Sequence, residues 1–279
     1  MVSVRGDQLP HITQIAGQAV AAGLQFNQYV VPEVPISPSA ERITKICMRN
    51  QTEMLVNGQP VNSVGIRQAL GDFISWLKLF NNVVLVAHNG RRFDFVVLTS
   101  ALSNCGLFEE FQSVVTALVD SMPVFKSVLK GQDSYTQENL VRNILHEEYE
   151  AHNAIHDVRC LSLLVDHVVN IDSKCLMVKS FLTRDILLNI QATKEKKLNM
   201  PSMSALIYKG IMKMCTVENV ASSGLNLSHL KTIYKRKGED GLYNVFQMKN
   251  SLGQPRVTNV KKTLESVVPK LASYLEQLD

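Results

Sequence analysis

One stretch constrains this chain more than any other: Val83-Val84-Leu85-Val86-Ala87-His88-Asn89-Gly90-Arg91-Arg92-Phe93-Asp94. Its opening run of apolar, largely β-branched residues predicts a short buried strand. Asn89-Gly90 ends that strand, because both residues tolerate the backbone angles of a tight turn. Apolar residues then recur on a helical face through Phe95, Val97 and Leu98, which places Asp94 in the first helical turn. Open α/β sheets put their ligand sites at the carboxyl ends of strands. An acid there also suits the positive end of a helix dipole, and on this segment alone both readings stand. A second segment adds weight to the first. Ala151-His152-Asn153-Ala154-Ile155-His156-Asp157 opens another apolar helix. An imidazole followed five residues later by a carboxylate supplies the parts of a general base and a metal ligand. His156, between them, reads as a surface or structural residue.

The 279 residues are 46 % apolar with a mean hydropathy of +0.02, enough for one large domain or a domain with an appendage. No apolar run reaches membrane-spanning length. Met1-Val2-Ser3-Val4-Arg5-Gly6-Asp7 has no apolar core of signal-peptide type. Five scattered cysteines without CxxC spacing predict free thiols in a reducing, intracellular compartment, not a disulfide framework or a zinc site. Charge divides the chain. Residues 174–279 carry 17 Lys and Arg against 8 Asp and Glu, a net of +9, which leaves −5 for the rest. Two modules follow: 1–173, acidic and α/β, and 174–279, basic and mainly helical. The basic part faces either a polyanion or only water.

In chain order, residues 11–20 and 26–31 predict a hairpin. Ser39 is expected to cap a short helix over 40–46, and Asn57-Gly58 to form a turn. A helix from residue 63 to 80 presents Ile66, Leu70, Phe73, Ile74 and Leu77 on one face. The strand at Val83 and the Asp94 helix follow, the latter stopped by Asn104 and Gly106. A strand is expected over 113–120 and a helix over 136–145. The helix headed by residues 152–157 is expected to run to about Val169. Alternating strands and helices predict a mixed α/β sheet covered on both faces. Helices are expected over 175–190, 203–214, 225–237 and 261–275, with one strand conceivable over 243–248.

Ala87-His88-Asn89-Gly90-Arg91-Arg92-Phe93-Asp94 resembles the second motif of the DnaQ-like (DEDDh) 3′–5′ exonucleases, and His152-Asn153-Ala154-Ile155-His156-Asp157 their third, in its HxAxxD form. His11-Ile12-Thr13-Gln14-Ile15-Ala16, Val31-Pro32 with Pro35-Ile36-Ser37, and Asp120-Ser121-Met122 resemble further family segments. The likeness covers about residues 8–169. It is closest in flavour to the exonuclease-like domain at the C-terminus of promyelocytic leukaemia proteins, to which the tail around Gly238-Glu239-Asp240-Gly241 is also similar. The resemblance implies a ribonuclease H-like fold with its first strand missing or truncated. It implies Mg²⁺ or Mn²⁺ held by Asp94 and Asp157, His152 as general base, and Asn89 orienting a terminal nucleotide. Lys235, Arg236 and Lys237 are the candidates for phosphate contacts. The family's Asp-x-Glu, measured back from Ile12, falls at or before Met1, so an incomplete two-metal site is expected. The activity implied is hydrolysis at single-stranded nucleic-acid 3′ ends, impaired here; the alternative is an inactive module binding nucleic acid or protein. Location is expected to be nuclear or cytoplasmic, with the resemblance favouring the nucleus.

Overall fold

Alternating apolar residues near the start of the chain become paired strands, as periodicity requires. Gln14–Gln18 (β1) and Gln25–Val30 (β2) form the expected antiparallel hairpin, in register from Gln14↔Tyr29 to Gln18↔Gln25. The structure is a computed structural model, and it describes residues 9–20, 22–147, 153–250 and 253–278. The next helix is Pro38–Thr44 (α1), capped by Ser37 rather than Ser39: the Ser37 hydroxyl accepts the Ala40 N–H at 3.3 Å. The helix begins early because proline suits its first position, where no N–H is needed. Ile46–Met48 (β3), Met54–Val56 (β4) and Gln59–Val61 (β5) make an antiparallel meander. Its β4–β5 turn holds Asn57 and Gly58 at φ 51° and 76°, the hairpin geometry these residues favour. Ser63–Val64 (β6) pairs parallel to β2, so the following helix starts later than expected, at Ile66–Leu77 (α2). That helix buries Ala69, Leu70, Phe73, Ile74 and Leu77, and its Phe73 and Trp76 rings pack on Phe26 from β2.

Val83–Ala87 (β7) leads into Asp94–Asn104 (α3). Phe108–Val114 (α4) takes two residues expected to be strand, so the next strand is Val115–Asp120 (β8), parallel to β7. Ser121–Val128 (α5) follows at once. Thr136 caps Gln137–Leu140 (α6), which continues as a π-helical turn over Val141–Leu145. Ala154–Ile171 (α7) packs along β1 and covers a core of Val119, Val124, Phe125, Leu140, Leu161, Leu164 and Val168. The helix expected over 175–190 is instead three elements: Cys175–Val178 (α8), Ser180–Phe181 (β9) and the start of Thr183–Asn199 (α9). β9 pairs antiparallel with β8, so the first compact unit runs past residue 173, to Leu187.

The class is mixed α/β with flanking helices. The strands, however, pair in three short sheets, β1-β2-β6, β3-β4-β5 and β7-β8-β9, rather than in one. Among the described residues no strand joins one of these sheets to another.

The second unit, Leu188–Asp279, is built of helices. A 3₁₀ turn at Met200–Met203 precedes Ser204–Tyr208 (α10) and Met214–Ser222 (α11). Leu227–Gln247 (α12) and Lys261–Glu276 (α13) close the core around Leu230, Leu242, Phe246, Leu264, Val268 and Leu271. The strand conceived over 243–248 is helix: Leu242 and Phe246, four residues apart, are buried on one helical face. Gly238, at φ 56°, interrupts α12 just after Lys237 with a conformation that side-chain-bearing residues avoid. No described helix is long and apolar enough to cross a membrane.

Candidate functional site

The carboxyl ends of β7 and β8 lie side by side, with Ala87 opposite Asp120. Each strand end has to hand its chain to a helix, and the local sequence decides how. After β7, Asn89 sits at φ 55°, and the turn closes through Arg92 N–H to Asn89 O (3.2 Å) and Phe95 N–H to Gly90 O (2.9 Å). Gly90 is buried so tightly that a Cβ there would lie 2.7 Å from both the Ala87 Cβ and the Phe95 ring. The chain turns sharply because this residue has no side chain, and Asp94 becomes the first residue of α3. After β8, Asp120 caps α5 directly. Its Oδ1 accepts the Met122 N–H at 3.0 Å and its Oδ2 the Arg91 N–H at 3.2 Å. One buried carboxylate thus ties the two strand-to-helix turns together.

His88 braces the same corner. Its Nε2 lies 2.9 Å from the Tyr135 carbonyl and its Nδ1 2.9 Å from the Ser121 hydroxyl. A carbonyl only accepts, so Nε2 carries the proton and Nδ1 accepts from Ser121. Burial pulls the His88 pKa below its ordinary value, and the Tyr135 carbonyl and the Asp120 charge only partly oppose this. The imidazole is held neutral, stacked on Phe125.

Asn153 caps α7, its Oδ1 accepting the Ile155 N–H at 3.3 Å, so Asp157 falls in the first turn. Gln137 donates to the Asp157 carbonyl at 2.7 Å, and Gln14 of β1 accepts the Ala154 N–H at 3.3 Å. The head of α7 is thereby fastened to β1 and α6. Burial pushes the Asp94 carboxyl above the ordinary carboxylate value; its own backbone N–H works against this, while the charges of Asp120 and Asp157 add to it. Asp94 and Asp157, 63 positions apart in the chain, therefore sit within electrostatic reach of one another, with Asp120 as a third acid.

His152 lies outside the described residues. Asn89 shapes the turn through its backbone, and His156 is exposed on α7. Lys235, Arg236 and Lys237 are exposed on α12 of the second unit. Sequence reasoning noted Asp120 only as part of a motif, yet it is the buried carboxylate that organises the corner. An acid closing an apolar strand run and followed by Ser was the available signal. His88 and Gln137 gave no signal of their own.

What each acid is already doing decides whether the group fits divalent ions. Both oxygens of Asp120 accept backbone N–H groups. Asp94 is half-buried, in surroundings that disfavour its charged form. Among the described residues, no group of three or more His, Cys, Asp or Glu could hold a metal ion. Mg²⁺ or Mn²⁺ takes six or so oxygen ligands, and the described residues do not fit a two-ion centre.

Two family models match the chain: the Exuperantia RNase H-like domain over residues 4–144, and the PML C-terminal domain over 199–277. The PML similarity thus falls in the helical second unit, where the tail around Gly238 was expected to show it, and not in residues 8–169. Among curated proteins, the maternal protein exuperantia of Drosophila virilis is 24% identical over 127 residues, 41% of this chain and 26% of that protein. Maternal protein exuperantia-1 of Drosophila pseudoobscura pseudoobscura is 25% identical over 116 residues, 37% of this chain and 23% of that protein. The chain spans about a quarter of the length of the relatives it matches.

Proposed function

The chain belongs to the family of Exuperantia RNase H-like domains, and from that premise we propose that it binds single-stranded nucleic acid through an exonuclease-type fold without cutting it. The observation that carries this reading is the state of the acids at the strand ends. Asp120 is committed to two backbone N–H groups and Asp94 is half-buried where desolvation disfavours its charge, so the corner is built as a structural joint. The remaining interaction is with phosphates. The second unit carries 14 Lys and Arg against 7 Asp and Glu, with Lys235, Arg236 and Lys237 exposed on one helix. Binding of this kind weakens steeply with salt and is nearly indifferent to sequence.

A second reading is favoured by one observation, the mutual repulsion of Asp94, Asp120 and Asp157. Carboxylates close enough to feel one another are what a cation-assisted nuclease would need, and with His152 as base the chain would be a weak Mg²⁺- or Mn²⁺-dependent 3′–5′ exonuclease. One experiment separates the two. A 3′-labelled single strand, RNA in one arm and DNA in the other, is incubated with the full chain in EDTA or in Mn²⁺. Salt-sensitive retention with intact strands in both conditions supports binding alone. Mn²⁺-dependent release of mononucleotides that disappears in Asp94→Ala would establish the exonuclease instead.

A further inference from the structure

In the second unit the core is closed by Met203, Leu206 and Met212, all nearly inaccessible, yet Tyr208 between them is 92 % exposed. The α10 helix is amphipathic over a single turn, with Leu206 inside and Tyr208 outside. The residues after it are firmly anchored. Lys209 N–H donates to Ala205 O and Gly210 N–H to Ile207 O, both at 3.0 Å, and the N–H groups of Ile211 and Met212 both donate to Leu206 O at 2.9 and 3.1 Å. Gly210, at φ 65°, makes the reversal. A bulky ring is thus held in water on a rigid turn, its hydroxyl without a partner among the described residues. Nothing in the stability of the fold requires it.

The charged residues nearest it along the chain carry one sign. Lys209 is exposed, with its Nζ 4.9 Å above the Tyr274 ring, and Lys213, just before α11, is exposed as well. The unit as a whole is net +7. Four of its acids are engaged internally: Glu195 with Asn199, Glu218 with Lys196, Glu265 with Lys261, and Glu276 with the Tyr234 hydroxyl. A flat aromatic ring beside lysines is complementary to a base with its neighbouring phosphates, since stacking tolerates any base and the cations track the backbone.

We infer that Tyr208 is a stacking platform for one base of a single-stranded nucleic acid, with Lys209 and Lys213 beside the adjoining phosphates. This rests on the nucleic-acid reading above and assigns it a contact in the second unit. The test is fluorescence anisotropy of the full chain with labelled oligo(U) and oligo(dT), at low and moderate salt. Tyr208→Ala should weaken binding about tenfold at both salt concentrations, because stacking is not ionic. Tyr208→Phe should bind as the unaltered chain does. Lys213→Gln should instead reduce the salt slope by about 0.7. A fully paired duplex should not respond to Tyr208→Ala, since its bases are already stacked. Wild-type affinity in Tyr208→Ala would overturn the platform and leave the nucleic-acid reading intact, whereas no affinity in the unaltered chain would overturn both. Capture of a protein partner that is lost in Tyr208→Ala, with oligonucleotide binding unchanged, would overturn it as well.

Discussion

Residues 1–187 carry 15 Lys and Arg against 18 Asp and Glu, while residues 188–279 carry 14 against 7. The first unit brings acids within electrostatic reach of one another: Asp94, near the ends of β7 and β8, feels the charges of Asp120 and Asp157. Of the eight buried polar residues among those described it holds six, Thr13, Thr99, Asp120, Ser121, Ser162 and Thr183, whereas the second unit holds Asn199 and Thr216. The second unit leaves its cations on the surface and keeps an almost wholly apolar core. The contrast teaches where specificity is stored. A sheet corner holds charge by hydrogen bonds that must all be satisfied. A helical bundle needs only apolar faces, so its surface charge can vary freely.

The largest test of this contrast lies in the cores. Phe125→Ala in the first unit and Phe246→Ala in the second each remove a fully buried ring and should each cost about 3–5 kcal/mol in urea denaturation. Phe125 also supports His88, so only its loss should disturb the corner; an equal disturbance from Phe246→Ala would break the contrast. Gly90→Ala should cost about 1–3 kcal/mol, because the added methyl cannot coexist with Phe95 and Ala87. A melting temperature unchanged from the unaltered chain would show that the turn is slack. His88→Ala strands the Ser121 hydroxyl and the Tyr135 carbonyl and should cost about 1–3 kcal/mol.

Asp94→Asn probes charge alone. The folded carboxyl of Asp94 is raised, so its contribution to stability is complete below the ordinary value of about 3.9 and is lost as pH rises through the raised value. The variant should therefore be more stable than the unaltered chain at neutral pH, with the difference closing in acid. Denaturation curves from about pH 3 to about pH 8, on the order of one unit apart, would check this, and a variant less stable at neutral pH would sink it. The smallest effect is expected at the surface. Lys78 and Glu110, 2.7 Å apart and about half exposed, should be worth less than about 1 kcal/mol in a double-mutant cycle.

Much of the first unit was legible from local pattern. The Val83 run, the Asn89-Gly90 break and the acid after it specify strand, turn and helix in nearly the observed places, because each rests on residues adjacent in the chain. The misreadings arose where local pattern and tertiary packing disagree. Tyr243, Val245 and Phe246 look like a strand by propensity, but burial of Leu242 with Phe246 makes them helix. Ser180 and Phe181 are too few to show alternation and become a strand only because β8 offers an edge.

By itself, then, the sequence determined the elements around Asp94 and Asp157 and the basic character of the last part of the chain. The tertiary structure alone decided that Asp120 would lie buried among them with both oxygens taken by backbone N–H groups. The physical reason is that a carboxylate's chemistry depends on what surrounds it in space, and those surroundings come from residues far apart along the chain.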